Sequence, residues 1–400
     1  MKILITTDWY APTVNGVVAS VLNLRRELML RGHDVRVLTL SQTTCSCAAD
    51  GVTYIGSVGA GKLYPGARIK TAFFSSLVQD IVEWQPDIIH SQCEFSTFFM
   101  ARRIAKKRAV PIIHTYHTVY EDYTHYFSPS KKWGRRMVAS LSRWITRQTA
   151  CVIAPTEKVR TILNGYGIGR DIRVIPSGID LPSFTEASET DKILALKKQL
   201  GIPENNRILL YVGRLAKEKN LEELLRYHAR CNREDLTLLI VGDGPHRAAL
   251  EHMTAESGIG YSVRFAGMVA PKEIGDYYHL GDLFVSPSVS EAQGLTYAEA
   301  MAAGLPVLCR RDECLEGIVL AGRNGWLYEN EQDYLAKLDS FMGSTEMSKI
   351  MGESAAKLAQ QTYSSAAFAE KMEHVYLDVL CGIAENEAIT GQGETSCPRA

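Results

Sequence analysis

The chain has 400 residues, 46% of them hydrophobic and 22% charged, which is the composition of a globular protein with enough apolar mass for two or three domains. The formal net charge of −1 excludes a global basic field of the kind that attracts nucleic acid. The nine cysteines include no C-x-x-C pair and indicate reduced thiols. The N-terminus matches no signal peptide, and no apolar run approaches the ~20 residues of a membrane span, so any membrane contact is expected at the surface.

The first half of the chain alternates short apolar runs with amphipathic segments. The helical pattern covers residues 17–31, "SLVQDIVEWQ" and "TFFMARRIAKKRA", and the glycine-bearing "GSVGAG" at 56–61 is predicted to be a loop. The predicted strands are "KILITT", "DVRVLTL", "PDIIHSQ", "PIIHTYH" and "CVIAPT". This alternation predicts a parallel sheet with helices on both faces.

The same rhythm restarts after a boundary near residues 177–185. Strands are predicted at "RILLYVGRL", "LTLLIVGDG", "SVRFAGMV", "DLFVSPS" and "PVLCR", with a helix from Thr296. We therefore expect an N-terminal Rossmann-like domain over 1–179 and a second over 180–363. A last helix at 364–382 is expected to pack back on the first domain, and residues 383–400 are predicted to form a disordered tail. Ligands of such sheets bind at the carboxyl ends of the strands.

Polar and aromatic residues follow two predicted strands of the first domain. Gly16 begins a helix after the first strand, where a phosphate can approach free N–H groups, although an ordinary turn would look the same. His117 follows "PIIH", and the segment after it is unusually dense in polar aromatic groups, which favours a functional role. That segment contributes Tyr120, Glu121, Asp122 and Tyr126.

The segment "SKKWGRRMVASLSRWITRQ" predicts a helix that is both basic and rich in tryptophan. One interpretation is a helix that packs its apolar face on the core, and the other is an interfacial helix at an anionic membrane. The pattern alone leaves both open. The candidate contact residues are Lys131, Lys132, Trp133, Arg135, Arg136 and Trp144.

Charged residues follow two strands of the second domain. Arg214 and Lys219 suit a diphosphate, or form an ordinary solvated pair. Gly294 and Leu295 begin a helix whose free N–H groups suit a phosphate. Glu291 and Glu299 are natural acceptors for sugar and ribose hydroxyls; alternatively, Glu291 is a capping residue and Glu299 a helix-surface acid.

These motifs together resemble the retaining GT-B glycosyltransferases of family 4. The similar elements are "EAQGLTYAE" followed by "AMAAGLPV", "VGRLAKEKN", "VGDGP", "RVIPSGID" and Gly16, in the family's order up to about residue 382. The resemblance implies an α/β fold of two Rossmann-like doubly wound domains facing a central cleft. Within the family, "IIHSQCEFS", "HTYHTVYEDYTHYF" and Gln293 are similar to the bacterial branch that glucosylates 1,2-diacylglycerol.

The resemblance implies a role for each matching residue. Gly16, Gly294 and Leu295 would contact the donor, and His117 would lie beside the transferred sugar. Arg214 and Lys219 would neutralise the leaving diphosphate, whereas Glu291 and Glu299 would hold sugar and ribose hydroxyls. The segment from Tyr120 to Tyr126 and the basic helix would meet the acceptor and an anionic membrane surface.

The implied reaction moves glucose from UDP-glucose to diacylglycerol with retention, at the cytoplasmic face of the cell membrane. The chain contains no D-x-D, so no metal or other cofactor is expected, and nucleic acid is not an expected partner. Three alternatives stay open. They are a family 4 enzyme that uses another donor or a polysaccharide or lipid-linked acceptor, a GT-B-like sugar-nucleotide epimerase, and a non-catalytic binding protein.

Overall fold

The computed structural model describes residues 1–60, 67–70, 76–121, 130–186 and 188–390, with the backbone alone for residue 131 and residues 383–390. The chain divides into two compact units. The first contains Met1–Gly178 together with the chain from Ser365 onward, and the second is Ile179–Ser364. The chain therefore leaves the first unit after Gly178 and returns to it at Ser365.

In the described ranges, the first unit contains a sheet of eight strands. Its strands are β1 (Lys2–Thr6), β2 (Asp34–Leu40), β3 (Cys47–Ala49), β4 (Val52–Ile55), β7 (Ile88–Ser91), β8 (Ile112–Thr115), β9 (Cys151–Ala154) and β10 (Asp171–Val174), and a separate hairpin pairs β5 (Ser57–Gly59) with β6 (Arg68–Lys70). Its helices before Gly178 are α1 (Gly16–Leu30), α2 (Ser76–Trp84), α3 (Ser96–Arg108), α4 (Lys131–Thr146) and α5 (Glu157–Gly165).

The order of the first sheet is β10-β9-β8-β7-β1-β2-β4-β3, and only β3 pairs antiparallel to its neighbour. Every residue of β7, β8 and β9 is buried, as expected for parallel strands covered by helices on both faces. The loop predicted at 56–61 was wrong for Ser57–Gly59, which pair in the hairpin. A glycine at the end of a short two-stranded ribbon costs little, so its presence did not exclude a strand.

The second unit contains a sheet of six parallel strands in the order β13-β12-β11-β14-β15-β16. The strands are β11 (Arg207–Val212), β12 (Leu236–Val241), β13 (Val263–Gly267), β14 (Leu283–Ser286), β15 (Val307–Arg310) and β16 (Gly325–Tyr328). The helices are α6 (Pro182–Thr185), α7 (Thr190–Gln199), α8 (Leu221–Cys231), α9 (Arg247–Glu256), α10 (Ile274–Leu280), α11 (Leu295–Ala302), α12 (Glu331–Met342) and α13 (Thr345–Thr362).

Each face of the second sheet has its own apolar core. Leu210, Leu239 and Phe284 lie in one buried cluster, whereas Leu209, Leu238 and Val285 lie in the other. Because successive side chains of a strand point to opposite faces, helices cover both sides of this sheet. The predicted α/β class with two parallel sheets is therefore confirmed.

The last helix, α14 (Ser365–Thr390), belongs to the first unit. Its residues Phe368, Met372 and Tyr376 are buried in the same cluster as Ile5 of β1 and Val21 of α1. The sequence predicted an end of this helix at residue 382 and disorder from 383, but the helical backbone covers 383–390. Residues 391–400 lie outside the described part of the chain.

Candidate active site

The strand order of the second unit brings two loops side by side. β11 and β14 are neighbours, and the direction in which strands are added reverses between them. A ligand of an open parallel sheet binds outside the carboxyl ends of the strands at such a point, where the two following loops separate. The loops here run from Gly213 to Asn220 and from Pro287 to Gly294, and they contain the predicted site residues Arg214, Lys219, Glu291 and Gly294.

An ion pair connects these two loops. Nζ of Lys219 donates to Oε1 of Glu291 at 2.6 Å, and the two side chains are 13% and 18% exposed. Burial lowers the pKa of Lys219, but the nearby carboxylate of Glu291 and the hydroxyl of Tyr211 outweigh it, so the pKa is raised. Lys219 therefore stays charged near neutral pH, in a mostly buried position.

Arg214 lies on the same loop as Lys219. Its guanidinium is 3.9 Å from the carboxylate of Glu218, and the hydroxyl of Ser290 donates to the backbone carbonyl of Glu218 at 3.1 Å. The second contact ties the loop after β14 to the loop after β11. The arrangement brings two cations, Arg214 and Lys219, to the carboxyl edge of the sheet, as the sequence predicted.

Gly294 ends the second loop and is the N-cap of α11. Its φ of 73° lies in the left-handed region, and a Cβ there would stand 2.4 Å from the ring of Tyr297. Glycine is therefore required by both the backbone and the space. The N–H groups of Leu295 and Thr296 begin α11 near Glu291, where an anion would be stabilised, whereas the N–H of Tyr297 donates to the carbonyl of Gly294 at 3.1 Å.

Glu299 lies further along α11 and is already hydrogen-bonded. The hydroxyl of Tyr278 in α10 donates to its Oε2 at 2.7 Å. Burial raises the pKa of Glu299, and the hydrogen bond from Tyr278 only partly offsets this effect. The carboxylate is held in one orientation and keeps Oε1 for a further donor. It is not the solvated surface acid that was one of the two interpretations of the sequence.

In the first unit, Gly16 is the first residue of α1 and is exposed. Asn15 caps the helix, and its side chain accepts from the N–H of Val18 at 2.9 Å. One of the first-turn N–H groups is thus satisfied within the chain. Such a helix start can receive an anion.

His117 follows β8 and is held by Gln92, which follows the adjacent strand β7. Nε2 of His117 is 2.5 Å from Oε1 of Gln92. Burial, with a smaller contribution from His114, lowers the pKa of His117 to about 3. The imidazole is therefore neutral at physiological pH. Sequence analysis did not select Gln92, because only the pairing of β7 with β8 brings it next to His117.

The predicted acceptor segment is partly described. The hydroxyl of Tyr120 donates to Glu94, and the carboxylate of Glu121 pairs with Arg135 of α4 at 2.9 Å. Asp122 and Tyr126 lie outside the described residues. Glu94 was not predicted as a site residue, since a single glutamate after a strand carries no distinctive pattern.

A second buried carboxylate that the sequence analysis missed lies near Glu94. Asp8 follows β1, and its Oδ1 accepts from the N–H of Thr97 at 2.8 Å at the start of α3. Its Oδ2 is buried and has no hydrogen-bond partner in the described part of the chain. Burial, opposed by the bonds from Thr97 and reinforced by the charge of Glu94, raises the pKa of Asp8 to about 6.

The helix α4 presents two apolar faces. Val138, Ser142 and Ile145 are buried against the unit, whereas Trp133, Met137 and Leu141 are 60%, 44% and 38% exposed. These three residues, spaced four apart, line one side of the helix, and we call them the α4 ridge. Phe99 of α3, also exposed, extends the apolar area because it stacks on Trp144. Core packing therefore explains only part of the apolar pattern that the sequence shows.

Cations flank the α4 ridge on the same helix. Lys132, Arg135 and Arg136 of α4 are exposed. Arg102 of the neighbouring helix α3 lies over the ring of Trp144 at 5.4 Å. The side chain of Lys131 is outside the description. Among the described residues, no helix is long and apolar enough to cross a bilayer. In the described ranges, no group of three or more His, Cys, Asp or Glu side chains is arranged to hold a metal ion.

Comparison with known proteins supports one assignment along the whole chain. Residues 14–182 match the model of Glycosyltransferase Family 4, and residues 192–358 match that of Glycosyl transferases group 1. The alpha-monoglucosyldiacylglycerol synthase of Streptococcus pneumoniae is 34% identical over 95% of this chain and 86% of its own length. The enzyme of the same name from Acholeplasma laidlawii is 29% identical over 95% of this chain and 98% of its own length.

The fold agrees with this assignment. The crystal structure of HepE from Anabaena, solved with UDP and glucose, superposes with a TM-score of 0.74 at 21% identity, covering 94% of this chain and 99% of HepE. At that identity the likeness concerns the fold alone. The chain belongs to the family 4 glycosyltransferases of the GT-B fold, and it is similar over nearly its whole length to alpha-monoglucosyldiacylglycerol synthases.

Proposed function

We propose that this chain transfers glucose from UDP-glucose to 1,2-diacylglycerol and forms 3-O-alpha-glucosyl-diacylglycerol with retention at the anomeric carbon. The observation that carries the proposal is the similarity to two alpha-monoglucosyldiacylglycerol synthases over 95% of the chain. The charges at the edge of the second sheet supply the chemistry that such a reaction needs.

The bond to be broken joins a sugar to a nucleotide diphosphate. Negative charge therefore develops on the leaving group, and catalysis depends on fixed positive groups at that point. Arg214, Lys219 and the start of α11 at Gly294 and Leu295 are those groups in the proposal. Their convergence on the β11–β14 edge supports it, because each has its position defined by the fold before a ligand binds.

In the proposal the two glutamates bind different parts of the donor. Glu291 accepts from hydroxyls of the transferred sugar, while Lys219 at its side meets the diphosphate. Glu299, fixed by Tyr278, accepts from the ribose hydroxyls with its remaining oxygen. Neither acid serves as a nucleophile in the proposal, so the acceptor oxygen enters on the face from which the diphosphate leaves.

The proposal also assigns donor roles to two residues of the first unit. The helix start at Gly16 meets the diphosphate, and His117 lies beside the transferred sugar. A neutral imidazole can exchange a hydrogen bond with a sugar hydroxyl without adding charge. The proposal includes no metal ion, and the cations named above take the place of one. Rates that do not change with added EDTA would support that part.

The acceptor is a lipid, and the α4 ridge is the proposed membrane contact. Trp133, Met137 and Leu141 would enter the interface while Lys132, Arg135 and Arg136 meet anionic headgroups. Tyr120 and Glu121 precede this helix and would lie near the acceptor. The enzyme would accordingly associate peripherally with the cytoplasmic face of the cell membrane.

The test is turnover of UDP-glucose, UDP-galactose and GDP-mannose, each with and without diacylglycerol vesicles. The proposal expects UDP-glucose to be consumed fastest, only in the presence of diacylglycerol, and with an α-linked product in the NMR spectrum. Equal or faster use of GDP-mannose would overturn the donor. Consumption without acceptor would instead favour an epimerase or a hydrolase.

A further inference from the structure

A buried chain of hydrogen bonds runs from His117 to the last helix of the first unit. Gln92 lies 2.5 Å from Nε2 of His117 through its oxygen and 3.1 Å from Nε2 of His90 through its nitrogen. Nδ1 of His90 is 2.7 Å from the hydroxyl of Tyr376 in α14. His90, Gln92 and Tyr376 are buried, and none of them was selected as a site residue from the sequence.

The chemistry of these side chains sets which group donates in each hydrogen bond. An amide oxygen only accepts, so Nε2 of His117, which lies 2.5 Å from Oε1 of Gln92, carries the proton. The amide nitrogen of Gln92 donates to Nε2 of His90, which also lies 2.7 Å from the hydroxyl of Thr115. Nδ1 of His90 must then carry the proton that it donates to Tyr376.

The opposite ring atom of His117 is left available. With the proton on Nε2, Nδ1 has a lone pair, and it has no hydrogen-bond partner among the described residues. An imidazole held this way accepts a hydrogen bond from a hydroxyl and does not donate one. If the amide of Gln92 were reversed, every bond in the chain would reverse and Nδ1 would become a donor.

We infer that Gln92, with His90 and Tyr376 behind it, is a positioning residue that holds His117 as the Nε2–H tautomer, so that Nδ1 accepts from a hydroxyl of the reacting sugar or acceptor. This inference rests on the proposed function for the identity of the hydroxyl. It adds a role for α14, which follows the whole second unit in sequence but holds the far end of the chain of bonds.

The first test measures the tautomer directly, without substrate. In protein labelled with ¹⁵N-histidine, two-bond ¹H–¹⁵N correlations distinguish Nε2–H from Nδ1–H, and His117→Asn identifies the signals of this ring. The wild type should show the Nε2–H form. Gln92→Leu should produce a mixture that includes the Nδ1–H form and should lower kcat about tenfold, as expected for one lost hydrogen bond.

The second test uses a side chain of the same size. Gln92→Glu places a carboxylate against Nε2, which stabilises the protonated ring and should move its protonation, and the acid limb of kcat, upward by about one to three pH units. His90 and His114 also face this ring and oppose its protonation. Gln79→Glu, at an exposed position of α2, is the matched control and should leave both unchanged.

The third variant guards against a misfolded Gln92→Leu. Tyr376→Phe keeps the buried ring and removes only the hydroxyl, so it should shift the tautomer and kcat in the same direction by a smaller amount. The inference is overturned if the wild type shows Nδ1–H, if Gln92→Leu preserves kcat, or if the pH profile of Gln92→Glu matches that of Gln79→Glu. The tautomer spectra do not depend on the donor, so a failure of UDP-glucose turnover alone would count against the proposed function only.

Discussion

Lys219 and Glu291 come from loops that follow different strands, yet their side chains are joined by a contact of 2.6 Å in the free protein. The proposed donor would have to insert its sugar and its diphosphate around this pair. The contact with Lys219 orients the carboxylate of Glu291. A substitution at either position is therefore expected to affect the stability of the two loops as well as the proposed reaction.

Glu291→Ala should reduce kcat/KM for the donor by about a hundredfold or more, because two charge-assisted hydrogen bonds to hydroxyls are lost at about 1.5–3 kcal/mol each. Urea unfolding should show that the protein still folds. Glu329→Ala is the matched control, since it removes an exposed carboxylate 3.0 Å from Arg311 and should leave the rate unchanged. Near-wild-type activity of Glu291→Ala would remove this residue from the site.

Gly294→Ala should destabilise the protein and abolish donor binding. Gly322→Ala is the control that separates backbone strain from the steric clash with a neighbouring side chain. Both glycines have a φ of 73°, but a Cβ at Gly322 meets nothing within 4 Å, whereas one at Gly294 meets the ring of Tyr297 at 2.4 Å. The backbone strain alone costs about 1 kcal/mol. Thermal unfolding should therefore show a clearly larger loss for Gly294→Ala. Equal losses would mean that the ring moves aside freely.

Asp8→Asn should stabilise the protein above neutral pH. The pKa of Asp8 is raised from 3.8 to about 6, so the folded state binds its proton more tightly than the unfolded state does. The resulting stability is fully present below pH 3.8 and is lost as the pH rises through about 6, by up to about 3 kcal/mol. Asparagine at position 8 does not ionise, so this loss of stability disappears, and its side-chain oxygen can still accept from the N–H of Thr97.

Urea unfolding between pH 4 and pH 8 measures the effect. The difference between Asp8→Asn and the wild type should grow across this range and level off above pH 6. Asp8→Ala removes the acceptor as well and should be less stable than Asp8→Asn at every pH. If Asp8→Asn is less stable than the wild type at pH 8, ionisation of Asp8 does not destabilise the folded protein.

Trp133→Ser should weaken binding to vesicles that contain an anionic phospholipid by about ten- to a hundredfold, since burying a large apolar side chain is worth about 1.5–3 kcal/mol. Met268→Ser removes an equally exposed side chain from the second unit and should have no effect. Sedimentation with vesicles measures binding. Turnover of a dispersed short-chain diacylglycerol should stay unchanged, and if it falls with vesicle binding, Trp133 acts on the reaction and not on docking.

Much of the fold was predictable because parallel strands leave long buried runs. All five strands predicted in the first unit are present, and Glu291 and Glu299 lie in the loop and the helix where the sequence put them. β16 was missed because its four residues "GWLY" begin with a glycine and show no alternation of apolar and polar residues. The end of α14 was missed because the residues from 383 to 390 have a composition that suits a disordered tail as well as a helix.

The contacts within the site were not predictable, since they depend on which strands are neighbours. Gln92 and His117 are 25 positions apart and meet only because β7 pairs with β8. The α4 pattern "KKWGRRMVASLSRWIT" showed apolar residues on one side but could not show that Val138 and Ile145 are buried while Trp133 is not. That division depends on which residues of the first unit pack against the helix.

The return of the chain to the first unit has a consequence for biosynthesis. A ribosome that has made residues 1–178 has made every strand of the eight-stranded sheet, but it has not yet made the helix that covers Ile5 and Val21 or the hydroxyl that His90 requires. The second unit, a continuous segment from Ile179 to Ser364, has no such gap. The second unit can therefore complete its folding before the first unit does, although it is translated later, because the first unit lacks α14 until the end of translation.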